Sequence, residues 1–119
     1  MPQSILHPNA SVLAAATVVG SKEHAGPLGQ HFDYYGDNDR FGQDTWERAE
    51  SEMQRMALGT ALGKVGLHDG DVGALFAGDL LNQCVGSAYG LIDYHVPYFG
   101  LYGACSTAAL GLMLGATMV

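Results

Sequence analysis

The chain has little positive charge and few cysteines, and both shortages restrict its function. Five Lys and Arg residues stand against twelve Asp and Glu in 119 residues, which gives a formal charge of −7 at pH 7. This balance supplies no basic stripe that could neutralise phosphates, so we expect no nucleic-acid partner. The two cysteines, Cys84 and Cys105, form neither a CxxC pair nor a zinc-ligand spacing. We therefore predict reduced thiols in a cytoplasmic protein.

Metal-binding motifs are also lacking. Residues 33–44 form an acidic stretch, DYYGDNDRFGQD, but a calcium loop beginning at Asp37 would need an oxygen ligand where Phe41 stands and Glu where Arg48 stands. No HxxxH or HxH spacing occurs among the histidines, which are His7, His24, His31, His68 and His95. We predict no metal site and interpret the stretch as a solvated acidic loop.

Two apolar segments are candidates for a signal peptide or a membrane-spanning helix. No Lys or Arg precedes the run at 12–19, so a signal peptide is not predicted. No charged residue occurs over 96–119, which is longer than the roughly 20 residues that a spanning helix needs. Pro97, Gly100 and Gly103 interrupt this segment, however, so we predict a buried strand followed by a helix and no transmembrane helix.

Strand patterns alternate with helical ones along the chain. Near-continuous apolar segments bounded by glycine are typical of buried strands, and a 3.6-residue period after residue 44 is typical of an amphipathic helix. That helix is predicted to begin at Asp44, with Glu47 completing a capping box and Lys64 in its last turn. The predicted elements are strands at 12–19, 72–78 and 96–103 and helices at 44–67, 79–94 and 105–119.

This βαβαβα order predicts an α/β fold. Apolar strands joined by helices favour a parallel or mixed sheet with flanking helices, in a single domain over residues 1–119. Residues 20–43 show no periodicity, and loops of this length usually carry function. We interpret this loop as a candidate lid or partner surface.

Cys105 is the first candidate site residue. It follows the tight exit from the last strand and is predicted at or near the first residue of the last helix. Backbone N–H groups and the helix dipole at such a position stabilise a thiolate nucleophile or hold a ligand carboxylate. The alternative is that Cys105 only fills a small space among glycines and alanines, because cysteine is often buried. Cys84 is predicted to be a packed helix residue.

A second candidate group lies in AGDLLNQ, at 77–83. Asp79 follows the middle strand directly, and the amides Asn82 and Gln83 come next. Ligands of open α/β sheets bind at the carboxyl ends of the strands, so Asp79 and Cys105 could line one pocket. Alternatively, Asp79 is an ordinary N-cap of the next helix.

Four motifs occur in a specific order between about Ser11 and Ala109. They are GPLG with FD at 26–33, the W..AE..M helix start at 46–53, AGDLLNQ at 77–83 and YGACST at 102–107. In this order and spacing they resemble the amino-terminal part of the stage V sporulation protein AD family, thiolase-like proteins of spore-forming Firmicutes. The resemblance implies a partial amino-terminal half of a thiolase-like fold, truncated before the second half.

The resemblance also implies a function. Proteins of this family bind dipicolinic acid, support its uptake with calcium into the developing spore and act in its release during germination. They are expected at the inner spore membrane beside other stage V sporulation A membrane proteins, as homodimers in full-length form. Cys105 stands at the nucleophile position of thiolases, with Asp79, Asn82 and Gln83 as further ligand-binding residues. No cofactor is implied beyond calcium accompanying the ligand.

Catalysis is not expected, because the His and Asn partners that activate such a cysteine belong to the absent second half. Two alternatives remain open. The chain could be part of a condensing acyltransferase that uses Cys105 as its nucleophile, or an inactive fragment whose open sheet edges cause it to aggregate or dimerise.

Overall fold

A computed structural model of the chain describes residues 9–81 and 83–119. Within these residues, four short strands and four helices follow one another, together with three 3-10 turns. The elements are β1 (Val18–Val19), α1 (Ser21–His24), β2 (Tyr34–Tyr35), α2 (Trp46–Val65), β3 (Leu75–Ala77), α3 (Val85–Gly90), β4 (Tyr98–Gly100) and α4 (Thr107–Met118), with 3-10 turns at Gly29–His31, Asp69–Asp71 and Ala104–Ser106.

The strands pair in parallel, which confirms the α/β class at the level of mixed helices and parallel strands. The prediction of one continuous sheet is wrong for the described residues, where β1 pairs with β2 and β3 pairs separately with β4. In the second pair Leu75 lies opposite Tyr98 and Ala77 opposite Gly100. Each ladder spans only two or three residues.

The amino-terminal region differs most from its prediction. Only the last two residues of the predicted strand at 12–19 form a ladder, and Val12 is 79% exposed. The segment 20–43, predicted as an irregular loop, contains α1, a 3-10 turn and β2. Asp33 explains part of the regular structure in this segment, because its Oδ2 accepts hydrogen bonds from the backbone N–H and the hydroxyl of Thr17 beside β1. Asp39 likewise accepts from Ser21, so these carboxylates are more than a solvated surface.

The N-cap of helix α2 lies one residue later than predicted. Thr45, not Asp44, is the N-cap, and its hydroxyl accepts from the backbone N–H of Arg48 at 3.2 Å. Asp44 lies only 3.9 Å from the exposed Arg48 guanidinium. The helix ends at Gly66 in the left-handed conformation, with φ at 66°, as favoured for a helix-terminating glycine. Lys64 lies in the last turn, as predicted.

The helix predicted at 79–94 is reduced to the six residues of α3. Gln83 and Cys84 both have positive φ, at 51° and 73°, so the chain turns sharply where the prediction continues a helix. Cys84 is therefore the N-cap of α3 and not a packed helix residue. Its half-buried thiol donates to the carbonyl of Leu101 at 2.9 Å, which links α3 to the exit of β4.

The buried apolar side chains of the described chain lie between these carboxyl-terminal elements and α2. They are Ala49, Leu91 and Leu101. Helix α3 crosses α2 so closely that a Cβ on Gly90 would lie 2.5 Å from the backbone oxygen of Ser51. Small residues at this crossing position α3, and with it the end of β3, against α2.

The apolar segment 96–119 forms β4, a 3-10 turn and α4, as the strand-and-helix interpretation predicts. Helix α4 begins at Thr107, two residues later than predicted, because the 3-10 turn occupies Ala104–Ser106. Among the described residues, no helix is both long and apolar enough to cross a bilayer.

Candidate functional site

A cavity of about 930 Å³ opens between α2, the carboxyl end of β3 and the start of α4. Most of its lining is apolar, including Phe76 on β3 and Leu101 after β4. The polar lining residues are Glu50, Gln54, Asp79, Cys105 and Thr107. Asp79 and Cys105, which the sequence predicts near one sheet edge, thus line the same cavity.

Asp79 is held rigidly at the end of β3. Its side chain is only 4% exposed, and its Oδ2 accepts from both the backbone N–H and the hydroxyl of Ser87, each at 2.8 Å. Ser87 is the third residue of α3, so the carboxylate satisfies an amide that the helix leaves without an internal partner. Asp79 is not the N-cap residue of α3, but it performs part of that role from upstream.

Gly78 permits this position of Asp79. A Cβ at residue 78 would lie 2.7 Å from Cγ2 of Thr107 and would collide with the carbonyl of Leu101. A glycine at the end of β3 therefore allows the chain that leaves β4 to approach the cavity closely.

Cys105 lies in the 3-10 turn directly before α4 and is exposed. Two hydrogen bonds that involve side chains help to close this turn: Ser106 Oγ donates to the carbonyl of Gly103 at 2.6 Å, and the Gly103 N–H donates to Thr107 Oγ1 at 3.1 Å. Ala104 has φ at 48°, a left-handed conformation that is uncommon for a residue with a Cβ. The thiol is thus presented by a constrained turn at the amino end of a twelve-residue helix.

Glu50 is the cavity residue that the sequence analysis missed. It lies on α2, and burial raises its pKa, with the charge of Asp79 adding to the rise and a backbone hydrogen bond from Leu80 opposing it. Its Oε2 is buried and has no hydrogen-bond partner among the described residues. The available signal was spacing, because Glu50, Gln54 and Ala57 follow the i, i+4, i+7 pattern of one helix face.

Of the remaining candidates, only Gln83 lies in the part of the chain that the structure describes, and it does not join the cavity. Gln83 is exposed, in a left-handed turn, and is not part of the lining. Asn82 lies outside the described residues. Within the described ranges, no three His, Cys, Asp or Glu side chains come together in a group that could hold a metal ion.

Comparison with known proteins gives two findings. Residues 3–119 match the family described as stage V sporulation protein AD. A stage V sporulation protein AD from Bacillus subtilis (strain 168) is 38% identical over 108 residues, which cover 91% of this chain and 32% of that protein. The chain therefore spans about a third of the length of this curated relative.

Proposed function

Because this chain belongs to the stage V sporulation protein AD family, we propose that its cavity binds dipicolinic acid, pyridine-2,6-dicarboxylic acid, without catalysing a reaction. The observation that carries the proposal is the joint lining of one cavity by Asp79 and Cys105. An apolar wall that includes Phe76 and Leu101 suits the pyridine ring. The amino end of α4 begins with Thr107, also in the lining, where the helix dipole favours a ligand carboxylate.

The negative charge of Asp79 opposes the binding of an anionic ligand. Dipicolinate is a dianion at neutral pH, and a second carboxylate repels it unless a proton or a cation such as calcium lies between them. We expect Asp79 to act on the ligand through one of these two intermediaries. If calcium is the intermediary, the cavity would favour dipicolinate together with calcium.

Titration calorimetry tests this proposal. Dipicolinic acid is titrated into the folded chain with and without calcium, and saturable binding is expected. Asp79→Asn should change the affinity by about tenfold or more, since it alters a charge in the lining. Asp33→Asn is the matched control, because it makes the same chemical change at an exposed carboxylate outside the cavity. Equal binding by Asp79→Asn and the unaltered chain would contradict the role of Asp79.

A condensing acyltransferase is the second candidate function, and the backbone of Ala104 favours it. Uncommon backbone conformations cluster at active sites, and this one directly precedes Cys105. No described histidine lines the cavity, however, so a general base for the thiol has no candidate among these histidines. Iodoacetamide labelling of a Cys84→Ser variant discriminates the two functions. A catalytic Cys105 should react much faster than free cysteine, whereas a binding residue should not.

The longer relatives would use this region within a larger assembly. We propose a thiolase-like architecture, peripheral attachment at the inner spore membrane beside other stage V sporulation A proteins, and homodimers that pair through β4. Phe99 on β4 is 46% exposed, and Tyr102 is exposed nearby. Exposed strand edges of this kind favour pairing with a second copy. Sedimentation analysis should show dimers or larger species, and a clean monomer would contradict pairing by this chain.

A further inference from the structure

Glu50 has an unusual position for an acidic residue. Its Oε2 is buried with no described hydrogen-bond partner, while its neighbour Ala49 is part of the buried apolar set. A buried carboxylate oxygen without a donor is costly when the group is ionised, because it has lost its water and gained nothing. Protonation removes the charge and converts the carboxyl group into a hydrogen-bond donor.

Asp79 adds to the preference for a protonated Glu50. A Cβ on Gly86 would lie 3.3 Å from Glu50 Oε2 and 3.4 Å from Asp79 Oδ2, so both oxygens border one small volume. Asp79 Oδ2 already accepts two hydrogen bonds from Ser87, which stabilise its ionised form. Of two neighbouring carboxyl groups, the one whose buried oxygen accepts no hydrogen bond retains the proton.

The other groups around Glu50 supply no balancing cation. Asp39 shares a second, smaller cavity with Glu50, and Cys105 shares the main one. Tyr98 on β4 lies near Asp79, and burial is the main cause of its raised pKa. No described Lys, Arg or His lines any of the three cavities that Glu50 borders, and the segment 16–19, which contains β1, adds only uncharged residues there.

We propose that Glu50 is a ligand-contacting residue whose protonated carboxyl group donates a hydrogen bond to a ligand carboxylate, so that each ligand enters the cavity with one proton. This inference rests on the proposed function. On the side of the cavity that α2 forms, it assigns a proton, and not calcium, as the intermediary between the protein and the ligand carboxylate. The proton comes from solvent when the ligand binds at a pH above the pKa of Glu50. The bound anion itself raises that pKa further, since it favours the neutral form of its neighbour.

The test is calorimetric titration of dipicolinate into the 119-residue chain between about pH 6 and pH 8, where the ligand remains a dianion. Using two buffers with different ionisation heats gives the number of protons taken up. The unaltered chain should take up a fraction of a proton per ligand, at most one, that grows as pH rises above the pKa of Glu50 in the free chain, and over that range its Kd should rise by up to about tenfold per pH unit.

Glu50→Gln is the informative variant, because its amide donates a hydrogen bond without titrating. It should bind without proton uptake, with a Kd independent of pH, and at pH 8 more tightly than the unaltered chain. Glu47→Gln makes the same change on the same helix at an exposed position outside the cavity, so it should behave like the unaltered chain. Circular dichroism establishes that each variant is folded.

Three results would overturn the inference. If the unaltered chain binds without proton uptake, or if Glu50→Gln still takes up the proton, the proposed function stands and the role of Glu50 fails. If calcium tightens binding only when both carboxylates are present, the pair holds a cation and the proton assignment is wrong. If the unaltered chain does not bind dipicolinate at any pH, the proposed function and the inference fail together.

Discussion

The two ends of α2 hold the rest of the chain by different means. Near its start, Ser51 packs against the backbone of Gly90, and its hydroxyl donates to the carbonyl of Gly86 at 2.7 Å. Near its end, Lys64 Nζ reaches the carbonyl oxygen of Ala15 at 2.7 Å and Asp33 Oδ1 at 2.5 Å. The first contact is close packing between helices, and the second is an exposed charge pair.

This difference determines how each region responds to change. Close-packed backbones leave no space for an added atom, so sterics dominate at the start of α2. Exposed ion pairs gain little in water, so the end of the helix should tolerate substitution. The pKa values of one carboxyl group in each region also shift in opposite directions. Burial raises the pKa of Glu50, whereas the hydrogen bond from Lys64 lowers that of Asp33. The cavity therefore depends on the region that tolerates least change.

Gly90→Ala should produce the largest effect. Its Cβ would lie 2.5 Å from a backbone oxygen of α2, so the two helices must separate, at a cost of about 3 kcal/mol in the free energy of unfolding. Gly63→Ala is the control, because no atom lies within 4 Å of its added Cβ. That variant should gain about 0.5–1 kcal/mol from helix propensity. Chemical denaturation measures both, and equal stabilities would mean that the two ends of α2 do not differ in packing.

Asp79→Ala should have the next largest effect. It leaves the buried N–H and hydroxyl of Ser87 without this acceptor, at a cost of about 2 kcal/mol. Ser87→Ala removes one donor and leaves the backbone hydrogen bond intact, so it should cost about 1 kcal/mol. Denaturant unfolding of both variants compares the two costs. A smaller loss for Asp79→Ala than for Ser87→Ala would contradict its role as the organising acceptor.

The sequence predicted the elements that place the cavity better than the contacts that shape it. Asp79 and Cys105 each follow an apolar strand directly, and parallel strands bring such positions to one edge, so their meeting could be inferred. Glu50 could not be assigned in the same way. Its role arises from burial beside Asp79, a contact between residues 29 positions apart that a local pattern does not contain.

The predicted fold is wrong where neighbouring residues offer similar local preferences or where a tertiary contact overrides them. Asp44 and Thr45 are both good N-caps, and only the geometry of the hydroxyl with the Arg48 amide decides between them. The two tyrosines of β2 form a strand because Asp33 binds Thr17, a tertiary contact that overrides weak local preference. Gln83 and Cys84 adopt left-handed conformations that their residue types do not predict.

Glu50→Gln should have a smaller effect on stability, and one that depends on pH. A raised pKa means that Glu50 contributes stability that is fully present below its unfolded value near 4.5 and is lost as pH rises through the folded value. The variant cannot ionise, so its thermal midpoint relative to the unaltered chain should rise with pH above 4.5. Thermal unfolding at a series of pH values measures this without ligand. A difference that is constant with pH would contradict the raised pKa.

Lys64→Met should have the smallest effect and the opposite pH dependence. The lowered pKa of Asp33, caused first by its hydrogen bond from Lys64, stabilises the fold above the ordinary value of 3.8 and is lost as pH falls through the folded value. The variant should therefore melt slightly earlier at neutral pH, and the difference should shrink both in acid and in high salt, because salt screens exposed pairs. Thermal unfolding at several pH values and salt concentrations measures this. A loss as large as that of Gly90→Ala would show that this exposed pair organises α2 as strongly as the helix crossing does.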